Sequence, residues 1–388
     1  MKKVKNIVVY VMALPGGAST IAQLRALKSS RDGSLRVMLL RDSRIATKKK
    51  YEKIAGLDIY VECDFSKPTH IAEALLPYQD ELLAITCRSE QYMRRFIEVL
   101  PHVPYLRTPT TESLKWASDK YEMRKRFLLY DKNITPKFTL IKNSMKEECA
   151  RVAKKIGFPM IVKPANLYES RYVSICYHEE ELEATLKRTL KDIKKAYEAD
   201  NHLVTPRLIA EEYMDGDMYS VDSYVDSRGK VYHCPLVKVI TGKKIGHDDF
   251  YNYLQMTPSG LKPRSVERAH KAAEAGIHAL GLRSTTAHTE LQKMDDDWKI
   301  IEIGARVGGV GDPGGEAPIA VVEQHGHVDA RVDARRIEVL VAAFAVRAHL
   351  KHVASLSALR AATISSPDKE ATKTDVLTLQ VEVRRSGH

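Results

Sequence analysis

No two of the five cysteines (Cys63, Cys87, Cys149, Cys176, Cys234) stand close enough to form a Cys-x-x-Cys pair. That absence excludes the common structural zinc spacings, and it fits a reducing, cytoplasmic setting. No apolar run reaches the length of a membrane span. Ile7–Leu14, behind Lys2, Lys3 and Lys5, is short for an export signal and has no small-residue cleavage site, so it reads as a buried first strand. No G-x-G-x-x-G and no Walker lysine follow that strand; Pro15-Gly-Gly17 stands there, a tight turn into a helix that either faces a ligand or is purely structural. Acidic residues are the scarcer charge, 50 against 61 Lys and Arg, for a net charge of +11. Such a balance suits polyanions, nucleotides included. The basic residues are scattered, however, with one short run at Lys48–Lys50 and no interleaved aromatics, which argues against a nucleic-acid-binding surface.

What is present is a chain of 388 residues, 44% hydrophobic and 29% charged, with room for two or three domains. Residues 1–108 alternate strand and helix, with strands at Ile7–Met12, Leu35–Leu40, Leu57–Val61 and Leu82–Thr86, which predicts a parallel sheet covered on both faces. A linker near 104–112 leads into a small α+β lobe over 109–200. That lobe has a helix from Leu114 to about Tyr130, strands at Phe138–Ile141 and Met160–Pro164, and a charged helix at Glu179–Tyr197. A second lobe over 201–309 opens with a strand at Leu208–Met214, continues with strands at Tyr219–Val225 and Val231–Ile240, and carries a long helix at Pro263–Leu280. From 310 to 388 the character changes. All 18 tyrosines precede residue 254, the last tryptophan is Trp298, and the tail is rich in Ala, Val, Arg and His. A shifted reading frame is one origin for such a change.

The chemistry concentrates in Thr286–Gly309. Period-two alternation places His288, Glu290 and Gln292 on one strand face, and Ile300 with Glu302 on one face of the next strand. A three-residue turn at Asp295–Asp297 puts Glu290 opposite Glu302. Two facing carboxylates repel by roughly 0.2–1 kcal/mol on an open sheet. A divalent cation reverses the sign, and Mg2+ characteristically takes one or two protein carboxylates plus substrate phosphates. Arg306, beside Gly308-Gly309, suits an anion at that metal. Taken alone, the segment is equally an ordinary hairpin with two solvated glutamates, Lys120 a solvated helix charge, and His288 a hydrogen-bonded structural histidine.

Lys120, Met160-Ile-Val-Lys-Pro164, Glu211-Glu-Tyr-Met214, His288-Thr-Glu290 and Glu302-Ile-Gly-Ala-Arg-Val-Gly-Gly309 occur in that order. The order resembles the ATP-grasp superfamily of carboxylate–amine (or carboxylate–thiol) ligases, over roughly residues 1–309. The resemblance implies a pre-ATP-grasp parallel α/β domain followed by a two-lobed ATP-grasp fold, an α/β and α+β protein with ATP between the lobes. It implies that Lys120 and Lys163 contact ATP phosphates and that Ser170 reaches them from the flap. Glu211, Glu212 and Met214 would hold the adenine edge, Glu290 and Glu302 would hold Mg2+ (or Mn2+), and Arg306 would stabilise the reacting phosphate. The expected partners are a small-molecule carboxylate and an amine, with no nucleic acid and no membrane, in a cytoplasmic protein that is a candidate homo-oligomer. The runner-up is a nucleotide-binding module with weak or no ligase activity. Three positions depart from the family pattern. The flap Ala165–Tyr172 has no glycine, Met218 stands where an acidic residue for the ribose is expected (Asp217 is adjacent), and Gly304 replaces a common asparagine. Thr241–Asp249, with Gly242 and Gly246, reads as a lid or an ordinary surface loop.

Overall fold

The computed structural model describes residues 4–26, 35–45, 54–167, 170–199, 205–295, 297–308 and 319–321. All of them lie in one unit, Met1–Val346. The tail beyond residue 309 lies outside the described residues except for Ile319–Val321, and so does the run Lys48–Lys50.

Four parallel strands open the chain: β1 (Ile7–Val11), β2 (Arg36–Asp42), β3 (Ile59–Cys63) and β4 (Leu82–Thr86), in the order β3-β2-β1-β4. Both faces are buried, as a near-continuous apolar strand requires. Ile7, Val9 and Val11 pack on one side, and Val8 and Tyr10 on the other against Ile21 and Leu24 of α1 (Ala18–Ala26). Helices α2 (Pro68–Leu75) and α3 (Met93–Val99) complete this layer.

The helix expected from Leu114 to Tyr130 is two helices, α4 (Thr111–Ala117) and α5 (Lys120–Tyr130). The break is a capping event. Thr110 caps α4 by accepting from the Ser113 N–H, and Asp119 caps α5 by accepting from Tyr121 and Glu122 N–H. Lys120 therefore occupies the first residue of a helix and not its middle.

The small-lobe sheet has the order β5-β8-β6-β7: β5 (Phe138–Ile141), β8 (Leu208–Glu212), β6 (Met160–Pro164) and β7 (Ser174–Cys176). It is backed by α6 (Lys146–Ile156) and α7 (Glu179–Ala199). Leu208–Glu212, which the sequence reading put at the start of the second lobe, pairs here with β5 and β6, so the Glu211 side of the site belongs to this sheet.

The large sheet runs β14-β13-β9-β11-β12-β15, with β10 also against β9. Its members are β9 (Asp217–Val225), β10 (Val231–His233), β11 (Val237–Thr241), β12 (Asn252–Thr257), β13 (Thr285–Met294), β14 (Asp297–Gly304) and β15 (Ile319–Val321). One strand was expected over Val231–Ile240; Pro235 cannot donate to a ladder and divides it. Helix α8 (Pro263–Ala279) packs on this sheet through Ala269, Ala273 and Ile277. A single core runs from Val9 and Met38 through Leu114 and Phe127 to Ala273, Ile300 and Ile303, joining the parallel layer to the hairpin.

That hairpin differs from expectation in a way that matters. Met294 pairs with Asp297, so the turn is two residues and not three, and Asp295 takes a left-handed φ of 48°. Leu291 pairs with Ile300, whereas Glu290 pairs with Glu302, which leaves Ile301 as an extra, bulged residue. The bulge restores the pairing that the shorter turn would lose. It also changes the faces: Ile300 and Ile303 are both buried against Gly276 of α8, and Ile300 does not share a face with Glu302.

Candidate functional site

Asp119 fixes the start of α5, and the Lys120 side chain leaves that start toward the hairpin. Its Nζ lies 3.0 Å from Glu302 Oε2 and donates to the Leu167 carbonyl at 2.7 Å. The Lys120 N–H donates to the Ala165 carbonyl at 2.8 Å, which ties the helix start to the strand end after Pro164. Burial works against the Lys120 charge, but Glu302, Glu90 and Glu290 outweigh it and hold the ammonium above its usual range. Burial would raise the Glu302 carboxyl, yet Lys120, Lys163 and Arg306 bring it down to about 2.

Lys163, the penultimate residue of β6, is buried and reaches Glu211 Oε2 at 2.7 Å. Burial lowers its pKa, and the opposing pull of Glu211 is offset in part by Arg124 and Lys120. Glu211 is 2% exposed; burial would raise its carboxyl, but Arg124 and Lys163 bring it to about 2. The Glu211 carboxylate is thus held by two cations.

Arg306 follows β14 and donates from Nε to Glu90 Oε2 at 3.0 Å and from Nη1 to the Val307 carbonyl at 2.9 Å. Glu90 lies just past β4, so the parallel domain contributes a carboxylate here. Glu90 also bears on one departure from the family pattern: a Cβ at Gly304 would sit 3.0 Å from Glu90 Oε2, a tight contact that the Glu90 carboxylate would have to relieve by shifting. On β13, His288 Nδ1 lies 2.8 Å from Asp222 Oδ1 and its Nε2 lies 3.8 Å from Glu290 Oε1. Burial would lower its pKa, but the two carboxylates, Asp222 the nearer, raise it to about 10. The Gly308 N–H donates to the same Asp222 oxygen at 2.8 Å.

Lys120, Lys163, Glu211, Glu290, Glu302 and Arg306 therefore form one charged cluster. The other three sequence candidates stand apart from its ion pairs. Glu212 accepts from the Lys137 N–H and from Lys299 Nζ, each at 3.2 Å. Met214 is half-buried just past β8. Ser170 is exposed, with its hydroxyl 3.5 Å from the Phe250 carbonyl. Asp217, the neighbour of the expected ribose position, is engaged by Lys238 at 3.1 Å and Lys244 at 3.4 Å. In the glycine-free flap, Ser170 and Tyr172 adopt positive φ values of 51° and 59°, the backbone region that glycine usually supplies. In the 241–249 loop, a Cβ at Gly242 would collide with the Asp249 carboxylate, and Lys243 N–H donates to the Asp249 carbonyl, so the loop is closed on itself.

Three residues escaped the sequence reading. Arg124 lies one turn beyond Lys120, a spacing that puts both on one helix face and could have flagged it. Asp222 sits across from His288 in the β9–β13 register, which becomes visible only when that pairing is known. Glu90 left no trace, because it is 216 residues from its partner Arg306.

A hard divalent ion takes oxygen ligands, several of them from carboxylates. Among the described residues no group of three or more His, Cys, Asp or Glu forms a protein-only metal cage. Glu290 facing Glu302 is instead a two-carboxylate arrangement that phosphate oxygens would complete, which fits Mg2+.

A parallel α/β layer, a four-stranded lobe and a larger, mostly antiparallel lobe, with Lys163 on the smaller sheet and the paired glutamates on the larger, is the architecture of the ATP-grasp fold. Comparison with known proteins agrees: the family profile described as "ATP-grasp domain" matches residues 156–313. Among curated proteins it is similar to the alanine–anticapsin ligase of Bacillus subtilis, 26% identical over 239 residues, 58% of this chain and 48% of that one. It is similar also to the formate-dependent phosphoribosylglycinamide formyltransferase of Sulfurisphaera tokodaii, 27% identical over 180 residues, 45% of this chain and 41% of that one. The chain thus spans about half the length of these relatives or less. Among solved structures, an L-amino acid ligase from Bacillus licheniformis superposes with a TM-score of 0.59 at 16% identity, covering 79% of this chain and 68% of that one. The biotin carboxylase domain of the Hydrogenobacter thermophilus 2-oxoglutarate carboxylase, solved with MgADP, gives 0.58 at 16% identity, covering 78% and 64%. At that identity the likeness is one of fold.

Proposed function

We propose that this chain is an ATP- and Mg2+-dependent ligase that joins a small-molecule carboxylate to an amine. The observation that carries the reading is the Glu290–Glu302 pair, set directly opposite across β13 and β14 with Lys120 on the same Glu302 carboxylate. The name of the alanine–anticapsin ligase supports it, and the Bacillus licheniformis L-amino acid ligase supports the fold.

In this reading Lys120 and Lys163 bind the ATP phosphates as compact charges on fixed backbone. Glu211 with the backbone through Met214 faces the adenine edge beside Glu212, Ser170 reaches the phosphates from the flap, and Arg306 stabilises charge on the transferring phosphoryl group. A divalent ion held by Glu290 and Glu302 would supply neutralisation of phosphate charge. The γ-phosphoryl passes to the substrate carboxylate oxygen, giving an acyl phosphate and ADP. The amine then attacks the acyl carbon, phosphate leaves, and an amide forms. Holding both substrates in one cleft makes the second step effectively unimolecular and keeps water from the acyl phosphate.

Calorimetric binding of a non-hydrolysable ATP analogue with Mg2+, to the wild type and to Lys163→Met, tests the nucleotide site. The expected result is micromolar binding that the substitution weakens at least about tenfold (about 1.4 kcal/mol). A folded wild type that binds nothing sinks the reading.

A further inference from the structure

Arg124 has no exposed surface. Its guanidinium donates from Nε to Glu211 Oε1 at 2.7 Å and from Nη2 to Glu211 Oε2 at 3.1 Å. From its other edge, Nη1 donates to the Ile300 carbonyl at 2.9 Å and Nη2 to the Ile301 carbonyl at 2.6 Å. One planar fork therefore grips a carboxylate on the small-lobe sheet and two successive carbonyls on the hairpin. In a regular strand successive carbonyls point to opposite edges; only the bulge turns both toward one donor.

We propose that Arg124 is a positioning residue for the nucleotide and metal site. It rests on the function proposed above and deepens it. The bulge is what creates the carboxylate pair. Were the Leu291–Ile300 register continued without it, Glu290 would face Ile301, and Glu302 would face Thr289, on the buried side of the sheet. Arg124 satisfies both carbonyls that the bulge exposes, and so holds Glu302 opposite Glu290. With its other edge it holds Glu211, the partner of Lys163. A lysine offers a point charge without the fork and cannot serve both edges at once.

The test measures two affinities in Arg124→Lys and the wild type, both verified as folded by circular dichroism. One is calorimetric binding of a non-hydrolysable ATP analogue without metal. The other is Mn2+ binding to the analogue-saturated protein, followed by electron paramagnetic resonance. Both affinities are expected to fall, each by about tenfold or more (about 1.4 kcal/mol). A folded Arg124→Lys that binds both as the wild type does overturns the proposal, since a purely structural role lowers the unfolding midpoint and leaves both affinities alone. A wild type that binds no analogue overturns the parent reading and this proposal together, whereas a wild type that binds beside an unaffected variant defeats this proposal alone. If Arg124→Lys does not fold, Glu211→Gln separates the two edges. Analogue affinity is expected to fall while the Mn2+ affinity holds, because Ile300 and Ile301 keep their donor; an unchanged analogue affinity, or a Mn2+ affinity that falls in parallel, overturns the proposal.

Discussion

Glu211 shows what a single residue contributes when two cations enclose it. Its carboxyl pKa in the fold is about 2 against an ordinary 4.5. As pH falls, the unfolded chain takes up the proton first, so the stabilisation is complete above about pH 4.5 and is lost as pH falls toward 2. A shift of that size corresponds to about 3 kcal/mol. Urea unfolding measured from pH 6 to pH 2 is expected to show this loss, and Glu211→Gln is expected to flatten that part of the curve. An unaltered pH dependence in the variant would contradict the ion-paired carboxylate. The glutamine protein should also be less stable at neutral pH, because Arg124 then lacks its buried counter-charge, a loss of about 3–5 kcal/mol.

At the scale of elements, α8 and the β13–β14 hairpin meet at Gly276. A Cβ there would strike Ile300 Cδ1 and come within 2.8 Å of Ile303 Cδ1. Alanine gains up to about 1 kcal/mol over glycine in helix propensity, and overpacking costs about 1–3 kcal/mol. The overlap lies well inside contact distance, so packing wins. Gly276→Ala is expected to lose about 1–2 kcal/mol in chemical denaturation, and a stabilised variant would show that the helix can slide away from the bulge. The same interface shows how far periodicity carries. Alternation identified both strands and the facing glutamates, but it assigned Ile300 to the Glu302 face, because a bulge adds a residue without any sequence mark. The helical pattern over Leu114–Tyr130 divides in two for a different reason: Asp119 competes for backbone N–H groups, and its capping role outweighs the continuous charge pattern around it.

At the scale of the whole molecule, the site draws on all three layers. Glu90 comes from the parallel domain, Lys163 and Glu211 from the small lobe, and Glu290, Glu302 and Arg306 from the large one. A ligase working through an acyl phosphate should yield a hydroxamate when hydroxylamine replaces the amine during ATP turnover. Hydroxamate formation that depends on an added carboxylate is expected, and its loss in Arg306→Met would follow from the role proposed for that side chain. ATP binding with no hydroxamate from any carboxylate tried would favour the runner-up, a nucleotide-binding module. Among the described residues no helix is long and apolar enough to cross a membrane.

The sequence by itself determined the local elements and the chemistry they offer. Apolar runs, capping residues and the order of lysine, glutamate and arginine motifs reflect interactions within a few residues, or residue types whose uses are narrow. Tertiary structure alone decided which charges meet. The placement of Leu208–Glu212 in the small-lobe sheet, the reach of Glu90 to Arg306 and the Arg124 fork across two lobes all join residues far apart in the chain. Such contacts depend on how sheets and helices pack, and a linear pattern of residue types does not encode a distance between them.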